Sequence, residues 1–462
     1  MQLKHYDADS GQLEGAIAKK GFERSGVSIP ARKGMAIAGL VILAVAVMAA
    51  LLVSYQTIFL IYSIYTIFIF MAYLVLWTDG AWEEKEPKIE MKVWPHVTLI
   101  IPSFNSGHTI FKCVESCKKL EYSGTYDIMV IDDGSTDGSF EKLQGLEGIA
   151  VIRKEKNEGK SAALNSGIVR AKGEIVACID SDTYPTPKTL EKAVKYFAED
   201  PKVGASVLFI NTTHPNNFIQ AVQEIEYWIS FGFFFKTVAS IDGLYVTPGP
   251  MALYRKKMFE ELGGFDEKNL TEDMEIALRM QRHGWKIRTC HSAVVHTEVP
   301  STIPSLYRQR LRWFRGGIMN MLKYIDMLLN PKYGNFGLFV LPTTLGAGFF
   351  AALFMLWSIF NYGRALMNYV SPWIGKPDVA ADALMLAPKI DPFLLDSAML
   401  FGFISLVMWG YFVYKSFHIS HAKMEKRHIL PLLGMLYLYP IFTGLTFLSA
   451  YVHEFSARKY KW

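Results

Sequence analysis

The feature that most constrains this chain is a long apolar run near its N-terminus. Met35–Trp77 contains no charged residue and no histidine over 43 positions. As one straight helix this run would rise roughly 65 Å, whereas a bilayer core of about 30 Å needs only about 20 residues. We therefore expect two membrane passes that turn near Ser54–Thr57. The length and position of the run argue against a cleaved signal peptide.

Three further apolar runs occupy the C-terminal part of the chain: Phe336–Phe360, Ser397–Phe417 and Ile429–Tyr451. Basic residues precede the first N-terminal run and separate the last two runs: Lys19, Lys20, Arg24, Arg32, Lys33, Lys415, Lys423, Lys426 and Arg427. Positive-inside bias places both basic stretches in the cytoplasm. The region between the two sets of passes is then cytoplasmic as well. Five passes would leave the C-terminus outside, which its own basic residues oppose.

The composition fits a soluble domain joined to membrane passes. Hydrophobic residues make up 51% of the chain and charged residues 20%, which is too apolar for a soluble protein and too charged for a pure membrane bundle. The net charge of +5 suits anionic lipid heads or phosphate ligands without deciding between them. Four scattered cysteines, among them Cys113 and Cys117, are expected to be reduced structural thiols.

The middle of the chain alternates buried strands with helices. "VTLIIPSFN", "YDIMVIDDG", "GIAVIRKEKNEG" and "EIVACIDSD" predict strands, and helices are expected over Lys160–Ala171 and Pro187–Ala198. This alternation predicts an α/β fold with a mainly parallel sheet. Ligands of such sheets bind beyond the carboxyl ends of the strands. Polar residues stand at these ends: Ser103, Asn105, Asp132, Asp133, Asp180 and Asp182.

Carboxylates in this region have two interpretations. Asp180 and Asp182 would repel each other after a strand unless a cation lay between them, and carboxylate oxygens suit Mg²⁺ or Mn²⁺ shared with substrate phosphates. Lys160, which opens the next helix, is placed to reach an anion. The alternative is that such residues only cap helices and turns. That reading also applies to Glu272 and Asp273, in the first turn of a helix expected to run from Thr271 to about His283.

The stretch "YRQRLRWFRGG" concentrates positive charge just before the C-terminal apolar region. In a helix, Arg308, Arg312 and Arg315 share one face. Gln309 and Trp313 share the neighbouring face. Arginine donates bidentately to a diphosphate, and tryptophan offers a flat surface to a sugar ring. The alternative is a basic helix that contacts anionic lipid headgroups.

A second aromatic-rich helix is predicted over Asn217–Ser240. Gln220, Glu224 and Glu226 interrupt it too often for a membrane pass. We expect it to pack the soluble domain against the membrane. The alternative is that Tyr227 or Trp228 contacts the acceptor of an enzymatic reaction.

Taken in order, "IIPSFN", "DDGSTDGS", "NEGKSAALNSG", "DSD", "TED" and "QRLRW" resemble the motifs of the processive family 2 glycosyltransferases. These are the membrane synthases of cellulose, chitin, hyaluronan and poly-N-acetylglucosamine. The resemblance covers about residues 95–320 by motif, and the arrangement of passes looks most like the bacterial poly-N-acetylglucosamine synthases. It implies a GT-A type, Rossmann-like cytoplasmic domain inserted between transmembrane helices.

The resemblance also implies roles for individual residues. Pro102, Asp132 or Asp133, and Lys160 would contact the nucleotide. Asp180 and Asp182 would hold the sugar nucleotide through Mg²⁺ or Mn²⁺. The remaining roles concern the acceptor and the catalytic step: Asp273 as general base with Glu272 beside it, Arg312 over the diphosphate, and Gln309 and Trp313 toward the acceptor. Gly249 stands in the acceptor segment "YVTPGPMALYR", where cellulose and hyaluronan synthases often carry a cysteine, so their sugar identity is not transferred.

These expectations divide the chain into five parts. Residues 1–34 are a basic cytoplasmic tail, 35–78 two transmembrane helices and 79–300 the GT-A domain. Residues 301–335 are interfacial helices that carry the lid, and 336–462 hold about three transmembrane helices.

The expected product is a β-linked polysaccharide built from a nucleotide-diphosphate sugar, most simply a UDP-sugar, with inversion. Its expected location is the cell membrane, with several passes and a cytoplasmic catalytic domain. Expected partners are the donor, a growing glycan or lipid acceptor and the bilayer, with room for an accessory membrane subunit or a homo-oligomer and no role for nucleic acid. Two alternatives stay open: a single-transfer enzyme that makes a glycolipid, as glucosylceramide synthases do, and a membrane transporter or receptor that only binds nucleotide sugars.

Overall fold

A computed structural model describes residues 41, 44, 45, 48, 52–76, 87, 89–370, 397–420 and 424–455. The predicted basic tail, most of the first predicted pass and residues 371–396, between two of the C-terminal apolar runs, lie outside these residues. Residues 41, 44, 45, 48 and 52 are helical, and the next helix, α1 (Tyr55–Leu76), begins where the sequence predicted a turn between two passes. The amide of Thr57 donates to the hydroxyl of Ser54 at that point.

Eight strands form one sheet in the soluble part of the chain. They are β1 (Val97–Ser103), β2 (Tyr126–Asp132), β3 (Ala150–Arg153), β4 (Ile175–Ile179), β5 (Thr183–Pro185), β6 (Val203–Thr212), β7 (Met251–Arg255) and β8 (Lys286–Thr297). Their order in the sheet is β3-β2-β1-β4-β7-β6-β8-β5. Every residue of β1 and of β4 is buried, as expected for strands covered by helices on both faces.

Helices connect these strands and continue into the C-terminal part. They are α2 (Ile110–Lys118), α3 (Ser139–Gln144), α4 (Lys160–Arg170), α5 (Thr189–Val194), α6 (Phe218–Ile229), α7 (Phe235–Ala239), α8 (Lys256–Leu262), α9 (Glu272–Arg282), α10 (Ile303–Lys323), α11 (Leu341–Val370), α12 (Ser397–Ile419), α13 (Ile429–Leu433) and α14 (Tyr439–Phe455). Short π-helical turns, Phe336–Val340 and Gly434–Leu438, precede α11 and α14. The predicted helix over 187–198 is α5 followed by a 3₁₀ turn.

The sheet is mixed, because parallel pairs, which include β6 with β8, alternate with antiparallel ones. β3, β2, β1 and β4 pair in parallel. β7 runs antiparallel to both β4 and β6. Because β7 is reversed, its first residues lie beside the last residues of β4, and the amide of Asp180 donates to the carbonyl of Pro250 at 2.9 Å. The reversed strand therefore delivers the loop before it to the end of the sheet where β1, β2 and β4 finish.

Close packing fixes α4 on the sheet. Gly167 faces Ile100 of β1 so tightly that a Cβ there would lie 2.5 Å from Cγ2 of that isoleucine. Small residues at such contacts let a helix approach its sheet. All four cysteines of the chain are buried thiols, which agrees with the structural role predicted for them.

Three helices of the described part are long and apolar enough to cross a membrane: Thr57–Leu76, Leu400–Ile419 and Lys426–Glu454. A shorter apolar stretch covers Phe336–Gly348. α1 packs on α11 through Tyr62 and Phe354, whose ring centroids are 4.7 Å apart. Apolar helices thus stand before and after the soluble domain, as the sequence predicted.

The aromatic-rich segment predicted over 217–240 packs the soluble domain against these helices. It forms α6, a π-helical turn and α7. The indole of Trp228 lies 4.9 Å from the ring of Phe417 in α12 and donates to Asn211 at 3.1 Å. Tyr227 and Trp228 are both buried, which favours packing over the acceptor contact that was its alternative.

Candidate active site

Lys160 joins the end of β4 to the start of α9. Its helix, α4, begins directly after Gly159, whose φ of +96° is one that few residues other than glycine adopt. The ammonium lies 2.5 Å from Asp180 and 3.2 Å from Glu272. Burial disfavours the charged ammonium, but Asp180 and Glu272 outweigh burial and raise the pKa of Lys160. Two segments 92 positions apart in the numbering are therefore tied together by one cation.

Gly249 lies against this ion pair. A Cβ at its position would lie 2.8 Å from the Lys160 nitrogen and 3.1 Å from Oδ2 of Asp180. Any larger residue would displace one of these side chains. The sequence assigned Gly249 to the acceptor. The structure places it beside two residues assigned to the donor.

Asp182 stands three residues beyond the end of β4. Burial, and then the negative charge of Asp180, raise the pKa of Asp182 to about 7. Burial also raises the pKa of Asp180, against the effect of Lys160. The pKa values of both carboxyl groups are thus raised. A cation bound beside them would stabilise their ionised forms.

Glu272 and Asp273 are neighbours in the first turn of α9, yet they differ electrostatically. Burial would raise the pKa of Glu272, but Lys160 and Arg312 outweigh it and lower that pKa. Burial, and then Glu272, raise the pKa of Asp273 to about 6. Glu272 is thus an ionised partner of Lys160, whereas Asp273 is a carboxylate able to take up a proton near neutral pH.

Backbone contacts hold Asp273 in place. Its Oδ1 accepts a hydrogen bond from the amide of Met274 at 2.8 Å. Its carbonyl oxygen accepts from the amide and the hydroxyl of Thr247, at 3.2 and 2.9 Å. Tyr254 donates in turn to the Thr247 hydroxyl at 2.9 Å. Thr247 and Tyr254 were not predicted, because their role lies in contacts between distant segments, although Thr247 is only two residues from Gly249.

The two aspartates after β2 also have different partners. Asp133 accepts from the amides of Glu158 and Gly159, the latter at 2.7 Å, and pairs with Lys154 at 2.9 Å. Asp132 is fully buried, and its Oδ1 has no hydrogen-bond partner among the described residues. Asp133 therefore shapes the loop before α4, whereas Asp132 leaves one buried carboxylate oxygen without a hydrogen-bond partner in the described part of the chain. In the register of β1 and β2, Pro102 pairs with Ile131, the residue before Asp132.

Helix α10 begins with a capping box between Thr302 and Ser305 and carries the predicted lid. Arg312 donates to the carbonyl of Leu270 at 3.1 Å, just before α9. Trp313 stacks on the guanidinium of Arg310, 4.1 Å from the ring centroid. The side-chain oxygen of Gln309 is buried and has no hydrogen-bond partner within the described part of the chain.

Two arginines of α10 have partners that neither interpretation of the sequence foresaw. Arg310 pairs with Glu226 of α6 at 2.5 Å. Arg315 pairs with Glu454 of α14. Both arginines are buried, so the contact with lipid headgroups proposed for them as an alternative is wrong.

The predicted site residues do not all line one cavity. Lys160, Asp180, Gly249, Glu272 and Asp273 line a common pocket together with Leu164, Cys178, Thr247, Pro248, Ala252, Tyr254 and Phe265. The other predicted residues lie outside this lining: Pro102, Asp132, Asp133, Asp182, Gln309, Arg312 and Trp313. The positive charge of Arg312 nevertheless acts on the pocket, because Arg312 lowers the pKa of Glu272.

A metal ion would need help from a substrate here. Among the described residues, no group of three or more His, Cys, Asp or Glu side chains is arranged to hold one. Asp180 and Asp182 offer two carboxylates. Mg²⁺ is commonly held by one or two carboxylates together with substrate phosphates. The donor set therefore fits a divalent ion that arrives with a diphosphate.

Comparisons with known proteins agree on a transferase domain. Residues 98–263 match the family model described as Glycosyl transferase family 2. The chain is 26% identical over 260 residues to a poly-β-1,6-N-acetyl-D-glucosamine synthase of Staphylococcus aureus, a match that covers 56% of this chain and 62% of that enzyme. It is 27% identical over 224 residues to the enzyme of the same name from Staphylococcus epidermidis, covering 48% of this chain and 54% of the relative.

A solved structure shares the fold. It is a mannosyltransferase from Pyrobaculum calidifontis in complex with GDP-mannose and Mn²⁺. The superposition gives a TM-score of 0.52 at 19% identity and covers 79% of this chain and all of the other. The mixed sheet is thus a GT-A-like fold, as the sequence predicted.

Proposed function

We propose, from the premise that this chain carries a family 2 glycosyltransferase domain, that it is a membrane-embedded, inverting polysaccharide synthase. It uses a nucleotide-diphosphate sugar, most simply a UDP-sugar, on the cytoplasmic side. It extends a β-linked chain and passes that chain across the membrane. The observation that carries the proposal is the shared pocket of Lys160, Asp180, Glu272 and Asp273, together with Arg312, which is near enough to lower the pKa of Glu272.

Asp273 is the general base in this proposal. Its carboxylate takes the proton from an acceptor hydroxyl, whose oxygen then bonds to the anomeric carbon of the donor sugar. The bond from that carbon to the diphosphate oxygen breaks, and the electron pair leaves with the nucleoside diphosphate. Attack opposite the leaving group inverts the configuration. The pKa of Asp273, raised to about 6 by burial and by Glu272, suits a base that works near neutral pH.

Lys160 and Arg312 stabilise the departing diphosphate. Both are cations beside the pocket, and a leaving diphosphate gains negative charge as its bond to the sugar breaks. Glu272 holds the Lys160 ammonium from one side at 3.2 Å. Its role is to orient that lysine, and we assign proton transfer to Asp273 alone.

Asp180 and Asp182 would hold Mg²⁺ or Mn²⁺ when the donor binds. A divalent ion supplies neutralising charge to the diphosphate. Support comes from the Asp182 carboxyl, whose pKa is raised to about 7 by burial and by Asp180 and which a cation would keep ionised.

The nucleotide lies over the ends of β1 and β2 in this proposal. Asp132 and Pro102 contact it, and Oδ1 of Asp132 has no hydrogen-bond partner among the described residues. Asp133 shapes the loop that presents Lys160. The acceptor lies toward α10, where Trp313 offers a ring face and Gln309 a buried amide oxygen.

A donor screen tests this function. The purified full chain in lipid nanodiscs is incubated with UDP-glucose, UDP-N-acetylglucosamine, UDP-glucuronate or GDP-mannose and with Mg²⁺ or Mn²⁺, and products are analysed by mass. The proposal expects a ladder or a high polymer from one donor. A single glycolipid would replace it with the single-transfer enzyme. Binding of donors without any transfer would replace it with a nucleotide-sugar receptor or transporter.

A further inference from the structure

One face of α10 contacts the segment that leads into α9. Arg312 donates to the Leu270 carbonyl at 3.1 Å. Two turns further along, the Asn320 amide donates to the side chain of Asn269, and to the carbonyl and hydroxyl of Thr271 at 3.2 and 3.0 Å. Asn269 donates back to Asn320 at 2.7 Å. Three hydrogen bonds between buried side chains and one to a backbone carbonyl therefore fix this short segment on the helix.

Gly316, midway between these contacts, lets the two segments approach. A Cβ on Gly316 would overlap the hydroxyl oxygen of Thr271 and lie 2.5 Å from its Cγ2. The adjacent Gly317 is different, because a Cβ there would meet no described atom within 4 Å. Two neighbouring glycines of the same helix thus differ in whether a methyl group fits.

A buried carboxylate continues the contact at the end of α10. Glu275 of α9 accepts from the Lys323 ammonium and from the Tyr324 hydroxyl, each at 2.7 Å, and pairs with Arg279. Burial would raise the pKa of Glu275, but Arg279 and then Lys323 outweigh it and lower that pKa. An ionised carboxylate with no exposed surface thus anchors α9 to α10.

The opposite side of α10 is attached to the membrane helix α14. Tyr307 shares a hydrogen bond of 2.6 Å with Ser449. The rings of Phe314 and Phe447 meet edge to face at 5.3 Å, and Arg315 pairs with Glu454. α10 therefore has a membrane helix on one side and the segment carrying Asp273 on the other.

We infer that Arg312, Gly316, Asn320 and Lys323, called here the α10 stripe, set the position of Asp273 relative to the membrane helices. The four residues follow i, i+4, i+8 and i+11, so they lie along one face. The inference rests on the proposed function, in which Asp273 is the base. Gly316 and Asn320 are positioning residues, which touch neither the donor nor the acceptor.

The paired substitutions Gly316→Ala and Gly317→Ala test the stripe. Alanine raises helix propensity equally at both positions, so only the contact with Thr271 distinguishes them. We expect Gly316→Ala to lower kcat, with a displaced base costing on the order of 10²-fold, while the KM for the donor and the affinity for UDP stay unchanged. Gly317→Ala should match the wild type. Equal turnover in the two variants would overturn the inference.

Loss of UDP binding would show that Gly316→Ala does not fold. In that case Asn320→Ala is the variant that tests the stripe. Retained UDP affinity with a lowered kcat would support the stripe, and wild-type kcat in Asn320→Ala would overturn it. The wild-type chain is assayed first on the same donors. If it transfers no sugar, the proposed function has failed. If it does and the paired variants are alike, only the present inference has failed.

Discussion

Two regions of the molecule collect charge, and they use it in opposite ways. At the strand ends and the start of α9, Lys160, Asp180, Glu272 and Asp273 all line one pocket. Along α10, Arg310 and Arg315 turn away from that pocket into buried pairs with Glu226 and Glu454. In the proposed function the first set meets a ligand, whereas the second set ties α10 to α6 and to the apolar helix α14. A cluster of charge in a sequence therefore predicts a function only when its partners are known.

The same lesson holds within the pocket. Glu272 and Asp273 are consecutive, yet their pKa values move in opposite directions. Lys160 and Arg312 lower the pKa of Glu272, whereas burial and Glu272 raise the pKa of Asp273 to about 6. The distinction depends on where a lysine from another segment lies.

Replacing the base tests the ligand-facing region most strongly. Asp273→Asn keeps the shape of the side chain but cannot accept the proton. We expect transfer to fall by about 10²–10⁴-fold, with UDP affinity retained in calorimetric titration. Asp200→Asn is the matched control. The Asp200 carboxylate does not line the pocket, and it pairs with the Lys286 ammonium at a distance of 2.7 Å. Near-normal turnover in Asp273→Asn would remove Asp273 from the base role.

Breaking one buried pair tests the structural region. Arg315→Met takes the arginine partner from Glu454, whose side chain is 11% exposed; breaking a fully buried pair costs about 3–5 kcal/mol of unfolding free energy, which sets the upper end of the expected loss. The double variant with Glu454→Leu should recover most of this loss, because it removes both charges. Thermal unfolding in nanodiscs measures both variants. A double variant as unstable as the single one would show that the pair is not the source of the stability.

A smaller effect is expected at Trp313, whose ring stacks on the guanidinium of Arg310. Trp313→Ala should weaken acceptor engagement by about 0.5–1.5 kcal/mol, the range of an aromatic contact, and leave UDP affinity unchanged. Trp313→Phe, which keeps a ring, is the control. The acceptor KM and UDP affinity are measured together. Equal losses in both quantities would contradict stacking against a sugar.

The sequence predicted the pocket better than its surroundings. Buried apolar runs that end in Asp132 and Asp180 define strand ends directly, because the ends of parallel strands meet at one edge of a sheet. The bounds of α9 followed from its first turn and from Gly284. The sequence did not predict the antiparallel β7, since apolar periodicity carries no information on strand direction. It also could not assign Arg310 and Arg315 to their glutamates, because both pairs join residues more than 80 positions apart.

The pH dependence of kcat tests most directly whether these residues act together in one pocket. The base must be ionised, so kcat should rise with pH through the Asp273 pKa of about 6 and then level off. Glu272→Gln removes the negative charge that raises this pKa and leaves Lys160 to lower it. The account predicts that the rise moves to lower pH in Glu272→Gln. A rise at the same pH in both enzymes would contradict the coupling of Glu272 to Asp273.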